Sequence, residues 1–153
     1  MPFLSFLHAD FSVTFTCDDA MEMFADGNSL GKDNSCWRTA TSLGVPGDTP
    51  VTSVKGSDMG GLFGILGSAN NGPITNETWK CTSVLYPGWN SPDFDDTNWP
   101  FVRVIASHID EPWGLINGIK NKTKWIWAAD SDNTPVYCRL NLQRTRSWYV
   151  RSK

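Results

Sequence analysis

Two tryptophans enclose an acidic segment in the second half of the chain, WNSPDFDDTNW, which begins at Trp89 and ends at Trp99. An indole can cover the apolar face of a pyranose ring, while Asp and Asn oxygens accept hydrogen bonds from sugar hydroxyls or coordinate calcium. The segment therefore predicts a carbohydrate-binding loop in which Trp89 stacks on the sugar. The predicted polar contacts come from Asn90, Asp93, Asp95 and Asp96. In the competing interpretation, Phe94 and Trp99 anchor a structural loop.

A second group of oxygen ligands is predicted nearer the start of the chain. Adjacent carboxylates repel each other, and a bound calcium ion would relieve that repulsion. The predicted metal ligands are Asp18, Asp19 and Asn28. Trp37 would supply an accompanying sugar platform. In the alternative interpretation, Asp26-Gly27-Asn28 is only a tight turn and the two aspartates end a strand. Calcium is the one cofactor that these patterns favour.

Catalytic chemistry has little support in the sequence. An acyl-transfer nucleophile needs a neighbouring base, yet neither His8 nor His108 has a recognisable motif around it. The segment that follows His108 is expected to be a solvated turn. Glycoside hydrolysis needs two carboxylates, for which the aspartates of WNSPDFDDTNW are candidates, but successive Asp residues in such a segment are typical of Asx turns. The chain is therefore predicted not to be an enzyme.

The four cysteines, Cys17, Cys36, Cys81 and Cys138, lack the spacing of a zinc site, so the sequence predicts two disulfides. Period-two alternation places Cys17 and Cys138 on the apolar faces of the first long strand and the last. Because both sulfurs then face inward, the predicted pairs are Cys17 with Cys138 and Cys36 with Cys81. Free buried thiols are the alternative, since cysteine packs as a small apolar residue.

The charge balance restricts the class of partner. With 13 basic and 16 acidic side chains the net charge is -3 and no basic stripe is present, so neither nucleic acid nor membrane insertion is expected. The cysteines, together with glycosylation sequons at Asn76 and Asn121, favour a secreted, extracellular protein. One domain is expected over residues 1–142, followed by a basic tail over residues 143–153.

Short alternating segments separated by turn residues run through the chain and indicate strands. The predicted strands are 11–17, 20–25, 37–45, 49–54, 79–85, 101–107, 124–129 and 136–142. The glycine-rich run after Gly56 is predicted to contain a buried strand where neighbouring chains approach closely. Eight or nine strands without a long amphipathic helix predict an all-β fold, an antiparallel β-sandwich.

Several motifs occur in a characteristic order. They are FTCDDAMEMFADGNSLG, VPGDTPVTSVKGSD, the Trp79-Lys80 pair, PDFDDTNW and KWIWAADSDNTPVYCRLNL. In this order, over residues 11–142, they resemble the galactose-binding-domain-like jelly rolls found as accessory domains of rhamnosidases and other glycoside hydrolases, and in animal extracellular proteins. The WIW strand lies near the end rather than at the start, which a jelly roll allows because its first and last strands are neighbours. The resemblance implies binding rather than catalysis.

The predicted function is therefore that of a secreted, non-catalytic, lectin-like module whose ligand is a glycan or glycoprotein, with calcium assisting. Because single sugars bind weakly, useful avidity would come from oligomerisation or from a larger parent chain. The alternative is a protein-protein interaction module of an extracellular matrix or adhesive, since tryptophan is also enriched at protein interfaces.

Overall fold

The computed structural model describes residues 9–34 and 37–142, which fold into two stacked, antiparallel five-stranded sheets. The strands are β1 Phe11–Asp18, β2 Ala20–Ala25, β3 Asn28–Asp33, β4 Thr41–Val45, β5 Val51–Ser57, β6 Gly64–Ala69, β7 Lys80–Thr82, β8 Arg103–Ser107, β9 Lys124–Trp127 and β10 Val136–Asn141. The first sheet has the order β4-β1-β6-β9-β8 and the second β3-β2-β5-β10-β7. The predicted antiparallel sandwich is confirmed, with ten strands. The predicted basic tail, 143–153, lies outside the described residues.

Alternating side chains build the core between the two sheets, as the period-two patterns predict. β1 contributes Phe11, Val13, Phe15 and Cys17 to this core. β10 contributes Val136, Cys138 and Leu140. Within the described residues, no helix is both long and apolar enough to cross a membrane.

The glycine-rich run supplies β6, whose six residues are all buried, so the prediction of a buried strand is confirmed. Gly67 is required there because a Cβ at this position would lie 2.3 Å from the ring of Phe15. The run itself begins with a sharp bend. Gly60 and Gly61 have φ values of +124° and +92° there, which residues other than glycine rarely adopt.

Two long connections cover the outer faces of the sandwich. The β7–β8 connection, residues 83–102, lies on the second sheet, where Trp89 packs edge-to-face on Tyr137 with ring centroids 5.0 Å apart. The β8–β9 connection, residues 108–123, lies on the first sheet, where Trp113 stacks on Trp125 at 4.2 Å. Each sheet therefore has apolar neighbours on both faces, which explains the unusually large number of tryptophans.

Two strands are four residues shorter than the sequence predicts. The strand predicted over 37–45 begins at Thr41, because Trp37 lies in a turn whose carbonyl accepts a 2.9 Å hydrogen bond from Thr16 Oγ1. The strand predicted over 79–85 is reduced to Lys80–Thr82. Beyond it the chain leaves the sheet, with Val84 and Leu85 exposed.

The predicted cysteine pairing is wrong. Cys81 and Cys138 lie directly opposite each other in the β7–β10 register and form a disulfide, whereas Cys17 is a free, buried thiol. Cys17 does face the core, but its Sγ lies 4.0 Å from the carbonyl oxygen of Ser57 in β5, one strand away from β10. Burial raises the pKa of the Cys17 thiol far above its usual value, which makes the group unreactive. Cys36 lies outside the described residues.

Candidate functional site

Trp89, the predicted sugar platform, is part of the folded interior. The side chain is 8% exposed and packs between Phe24 and Tyr137, with ring centroids at 5.5 and 5.0 Å. Phe24 and Tyr137 lie on the outer face of the second sheet, and Trp89 packs against them from the β7–β8 connection. Because only 8% of the Trp89 side chain is exposed, it cannot offer a ring face to a sugar, and the prediction of that role is wrong.

Arg139 holds this connection to the sheet. The side chain projects from β10 away from the core and is 2% exposed. Its Nε donates to Asp96 Oδ2 at 2.9 Å, and its two terminal nitrogens donate to backbone carbonyls of the connection. These carbonyl acceptors belong to Trp89, Ser91 and Phe94. Asp96 is thus a structural counter-ion, not a ligand for sugar hydroxyls.

The remaining polar residues of the segment divide between turn formation and the surface. Asp95 Oδ1 accepts hydrogen bonds from the backbone N–H and the hydroxyl of Thr97, which is an Asx turn. Asp93 is exposed and Asn90 is half-buried. Phe94 and Trp99 pack against each other at 5.4 Å. The structural interpretation of this loop is therefore the better one.

A concave surface lies beside this connection, at the end of the sandwich where β6 and β10 finish and β7 begins. Its volume is about 890 Å³. It is lined by Asn71, Gly72, Pro73, Ile74, Asn76, Thr78, Lys80, Asp96, Phe101, Lys122, Arg139, Leu140 and Asn141. We call it the Phe101 cleft, because Phe101 is its exposed aromatic residue.

The position of Phe101 follows from strand pairing. Phe101 forms an isolated antiparallel bridge with Lys80, which fixes its backbone at the edge of the second sheet. The side chain remains 60% exposed, and Lys80 Nζ lies 5.2 Å from the ring centroid. The cleft therefore combines an accessible aromatic ring with the side-chain amides of Asn71, Asn76 and Asn141, the combination that pyranose recognition requires.

A cluster of three carboxylates lies at the opposite end of the sandwich. Asp18, Asp19 and Asp58 each place a carboxylate oxygen within 4.8 Å of the others. Asp18 Oδ2 accepts a 2.9 Å hydrogen bond from Trp113 Nε1, and Asp19 Oδ2 accepts one of 2.9 Å from the Met59 backbone. We call these three residues the acidic cluster.

The acidic cluster does not include Asn28, the third predicted metal ligand. Asp19 precedes β2 and Asn28 follows the turn at its other end, so the six residues of β2 separate them by about 20 Å. Asp58, at the end of β5, takes its place, and only folding brings it there. Trp37 lies on the same sheet face as Asp18, but its ring is half-buried and Arg38 lies over it at 4.9 Å.

The carboxylates of the acidic cluster perturb one another. Burial raises the pKa of Asp18 to about 6, and its neighbour Asp19 adds to the effect. Burial and the charge of Asp19 also raise the pKa of Asp58, whereas hydrogen bonds from the Met59 backbone and Asp18 lower that of Asp19. Asp58 Oδ1 is buried without a hydrogen-bond partner among the described residues. A hard cation would satisfy this oxygen and reduce the repulsion, so the three residues fit calcium.

Comparison with known proteins agrees with the architecture. No protein-family model matches the chain. An α-L-rhamnosidase of Streptomyces avermitilis is 25% identical over 123 residues, which cover 69% of the chain and 12% of the enzyme. The Pleurotus ostreatus lectin, solved in the apo form and in complex with GalNAc, matches with a TM-score of 0.61 at 20% identity, over 78% of the chain and 38% of the lectin chain. These matches support a galactose-binding-like β-sandwich fold for the chain. The chain spans much less than two thirds of either protein's length.

His108 has a structural role in this galactose-binding-domain-like sandwich. The residue is fully buried, so the solvated turn expected there does not begin at the histidine. Its Nε2 accepts a 2.9 Å hydrogen bond from the Ile116 backbone, which leaves Nδ1 to donate to the Lys120 carbonyl at 2.9 Å. Both ring nitrogens are engaged in holding the β8–β9 connection, and neither can serve a nucleophile.

The two sequons of the galactose-binding-domain-like sandwich lie in different surroundings. Asn76 lines the Phe101 cleft, and its Oδ1 accepts hydrogen bonds from the backbone and hydroxyl of Thr78. Asn121 is exposed, while Thr123 of the same sequon is buried. A glycan on Asn76 would therefore begin at the wall of the cleft.

Sequence reasoning missed the Phe101 cleft. In the sequence, Phe101 looks like an ordinary strand residue. Its pairing with Lys80, which places it at the sheet edge, is not visible from the sequence. Asn70-Asn71-Gly72 gave a usable signal, because such a triplet predicts a turn that presents amide groups at the surface. The sequence could not show that this turn lies next to β10 and Phe101.

Proposed function

We propose that this domain is a secreted, non-catalytic carbohydrate-binding module whose ligand lies in the Phe101 cleft. The observation that carries the proposal is the cleft of about 890 Å³ whose lining includes a 60% exposed phenylalanine and three asparagines. The aromatic ring would cover the apolar face of a pyranose, and the amides would bond its hydroxyls. The fold shared with a lectin solved in complex with GalNAc, and the sequence similarity to part of a rhamnosidase, support this function.

Two observations support the secreted and non-catalytic parts of the proposal. The Cys81–Cys138 disulfide and the two sequons are typical of proteins that pass through the secretory pathway. Among the described residues, His108 and Asp96 are engaged in structural hydrogen bonds, so neither is available as an acid or base. Avidity would come from oligomerisation or from a longer parent chain, in line with the small share of the rhamnosidase and the lectin that the chain matches.

Alanine substitution at Phe101 tests the proposed site. In a glycan-array screen followed by calorimetric titration, Phe101→Ala should weaken sugar binding at least tenfold, whereas Leu115→Ala should not change it. The two side chains are equally exposed, at 60% and 61%, but Leu115 lies on the other sheet's covering connection. Unchanged thermal stability would show that both variants fold. Binding that survives Phe101→Ala, or no glycan bound at millimolar concentration, would refute the proposal.

Calcium is the proposed cofactor, held by Asp18, Asp19 and Asp58. The ion would offset two of the three negative charges and tie the segment after β5 to the β1–β2 connection. Thermal melts and titration with CaCl₂ after EDTA treatment test this part. Calcium should raise the melting temperature of the wild type and of Asp93→Asn, whose carboxylate is exposed elsewhere, but not that of Asp58→Asn. No shift in the wild type at millimolar calcium would exclude the ion.

A protein-binding function is the second candidate, and one surface feature favours it. Val84, Leu85 and Tyr86 are consecutive and are 48%, 63% and 42% exposed. Such a run on a rigidly held connection is suited to an extracellular matrix or adhesive partner. The test is capture of a matrix protein by the domain. Capture that free monosaccharide does not displace and that is lost in Leu85→Ser would favour this function over sugar binding.

A further inference from the structure

The Phe101 cleft carries a net positive charge. Lys80, Lys122 and Arg139 line it, and Asp96 is the one acidic residue among its lining residues. The chain as a whole has a net charge of -3. The cleft therefore has the opposite sign to the rest of the protein, and a concave surface concentrates that potential.

The three cations are not equivalent. Arg139 is paired with Asp96 at 2.9 Å, and its terminal nitrogens donate to backbone carbonyls. The two opposite charges largely cancel, so this pair adds little net charge to the cleft. Lys80 donates to the Asp96 carbonyl at 3.2 Å and lies 3.9 Å from its carboxylate. With 12% of its side chain exposed, Lys80 is held in one place beside the Phe101 ring.

Lys122 carries the exposed charge of the cleft. The residue is exposed and forms no salt bridge with any residue that the structure describes. The nearby Lys124 is paired with Glu77 at 3.0 Å, so Glu77, the acidic residue next to Asn76, is already compensated. A ligand in the cleft would thus meet one fixed ammonium group and one that can move toward it, with no opposing free carboxylate among the lining residues.

We infer that the Phe101 cleft selects an anionic glycan, one whose pyranose carries a carboxylate or a sulfate ester. The inference rests on the proposed carbohydrate-binding function and names its ligand class. The ring of the sugar would lie on Phe101, and its anionic substituent would lie between Lys80 and Lys122. Two ammonium groups form stronger hydrogen bonds with a charged carboxylate or sulfate than with the uncharged oxygen of a hydroxymethyl group, because both partners then carry opposite charges.

Matched sugars test the inference. Galacturonate, galactose 6-sulfate and galactose share one ring and differ in charge at the C6 position. In titrations at low ionic strength, the anionic sugars should bind about tenfold more tightly than galactose, and 0.5 M NaCl should remove most of the difference. The carboxylate and sulfate arms distinguish the two sources of negative charge, and binding of either supports the inference.

Lysine variants locate the effect. Lys122→Gln should lower the preference for the anionic sugars, measured as the ratio of galacturonate affinity to galactose affinity, at least threefold. Lys32→Gln removes an exposed lysine from β3, outside the cleft, and should leave this ratio unchanged. Galactose bound as tightly as both galacturonate and galactose 6-sulfate would overturn the inference while the proposed function stands. A preference that persists in Lys122→Gln would overturn it as well, and failure of all three sugars to bind would overturn both.

Discussion

Replacing Arg139 with methionine is expected to destabilise the sandwich by about 3–5 kcal/mol. The guanidinium is buried and bonds Asp96 at 2.9 Å together with three backbone carbonyls of the β7–β8 connection. Removing one partner of a buried ion pair leaves an uncompensated charge, which accounts for a cost of this size. The carbonyls increase the cost because they lose buried donors. Lys80, 3.9 Å from Asp96, offsets part of it.

Urea-induced unfolding, followed by tryptophan fluorescence, measures this loss. Arg103→Met is the matched control, because Arg103 forms a 2.6 Å pair with Asp132 in which the side chains are 40% and 71% exposed. An exposed pair contributes less than about 1 kcal/mol. Adding Asp96→Asn to the Arg139→Met variant should recover at least about 1 kcal/mol, since the buried carboxylate that lost its arginine partner is then uncharged.

The comparison between the two arginine variants decides whether the reasoning is correct. If Arg139→Met costs no more than Arg103→Met, the connection is held by its aromatic contacts and the buried ion pair is dispensable. If the double variant is less stable than Arg139→Met itself, the unpaired carboxylate is not the source of the loss. Either result would refute the role given to Arg139.

Three further predictions concern the disulfide, the acidic cluster and the sequon in the cleft. Removing the Cys81–Cys138 disulfide, which spans 57 residues, should cost about 4 kcal/mol, and peptide mapping without reductant should link these two cysteines rather than Cys17 and Cys138. In EDTA, the free energy of unfolding should rise by about 1–2 kcal/mol as the pH falls from 8 to 4.5. The reason is that folding raises the Asp18 pKa to about 6, so the folded state binds a proton more tightly than the unfolded chain does. Asp18→Asn should flatten this pH profile. Protein glycosylated at Asn76 should bind sugar more weakly than the same protein after enzymatic glycan release, and equal affinities would show that the glycan leaves the cleft open.

The sequence determined the fold because strands and turns are local features. Alternation of apolar residues in 11–17 and 136–142 gave the inward faces of β1 and β10 correctly. The glycine-rich run gave β6, because β6 needs residues without side chains where Phe15 and its neighbours approach. The ordered motifs, which consist mostly of turn and aromatic residues, predicted the sandwich architecture that the structure shows.

Which side chains meet was decided by tertiary structure. Cys138 pairs with Cys81 because β7 joins the second sheet beside β10, and the inward direction of Cys17 does not reveal this register. Trp89 is buried because the β7–β8 connection lies across the sheet and Arg139 holds it there. Asp58 joins Asp18 and Asp19, and Lys80, Phe101 and Lys122 share one cleft, across long separations in sequence. Local pattern fixes where a side chain points along its own strand, whereas a site depends on strand order and on the paths of long connections, and both are set by packing of the whole chain.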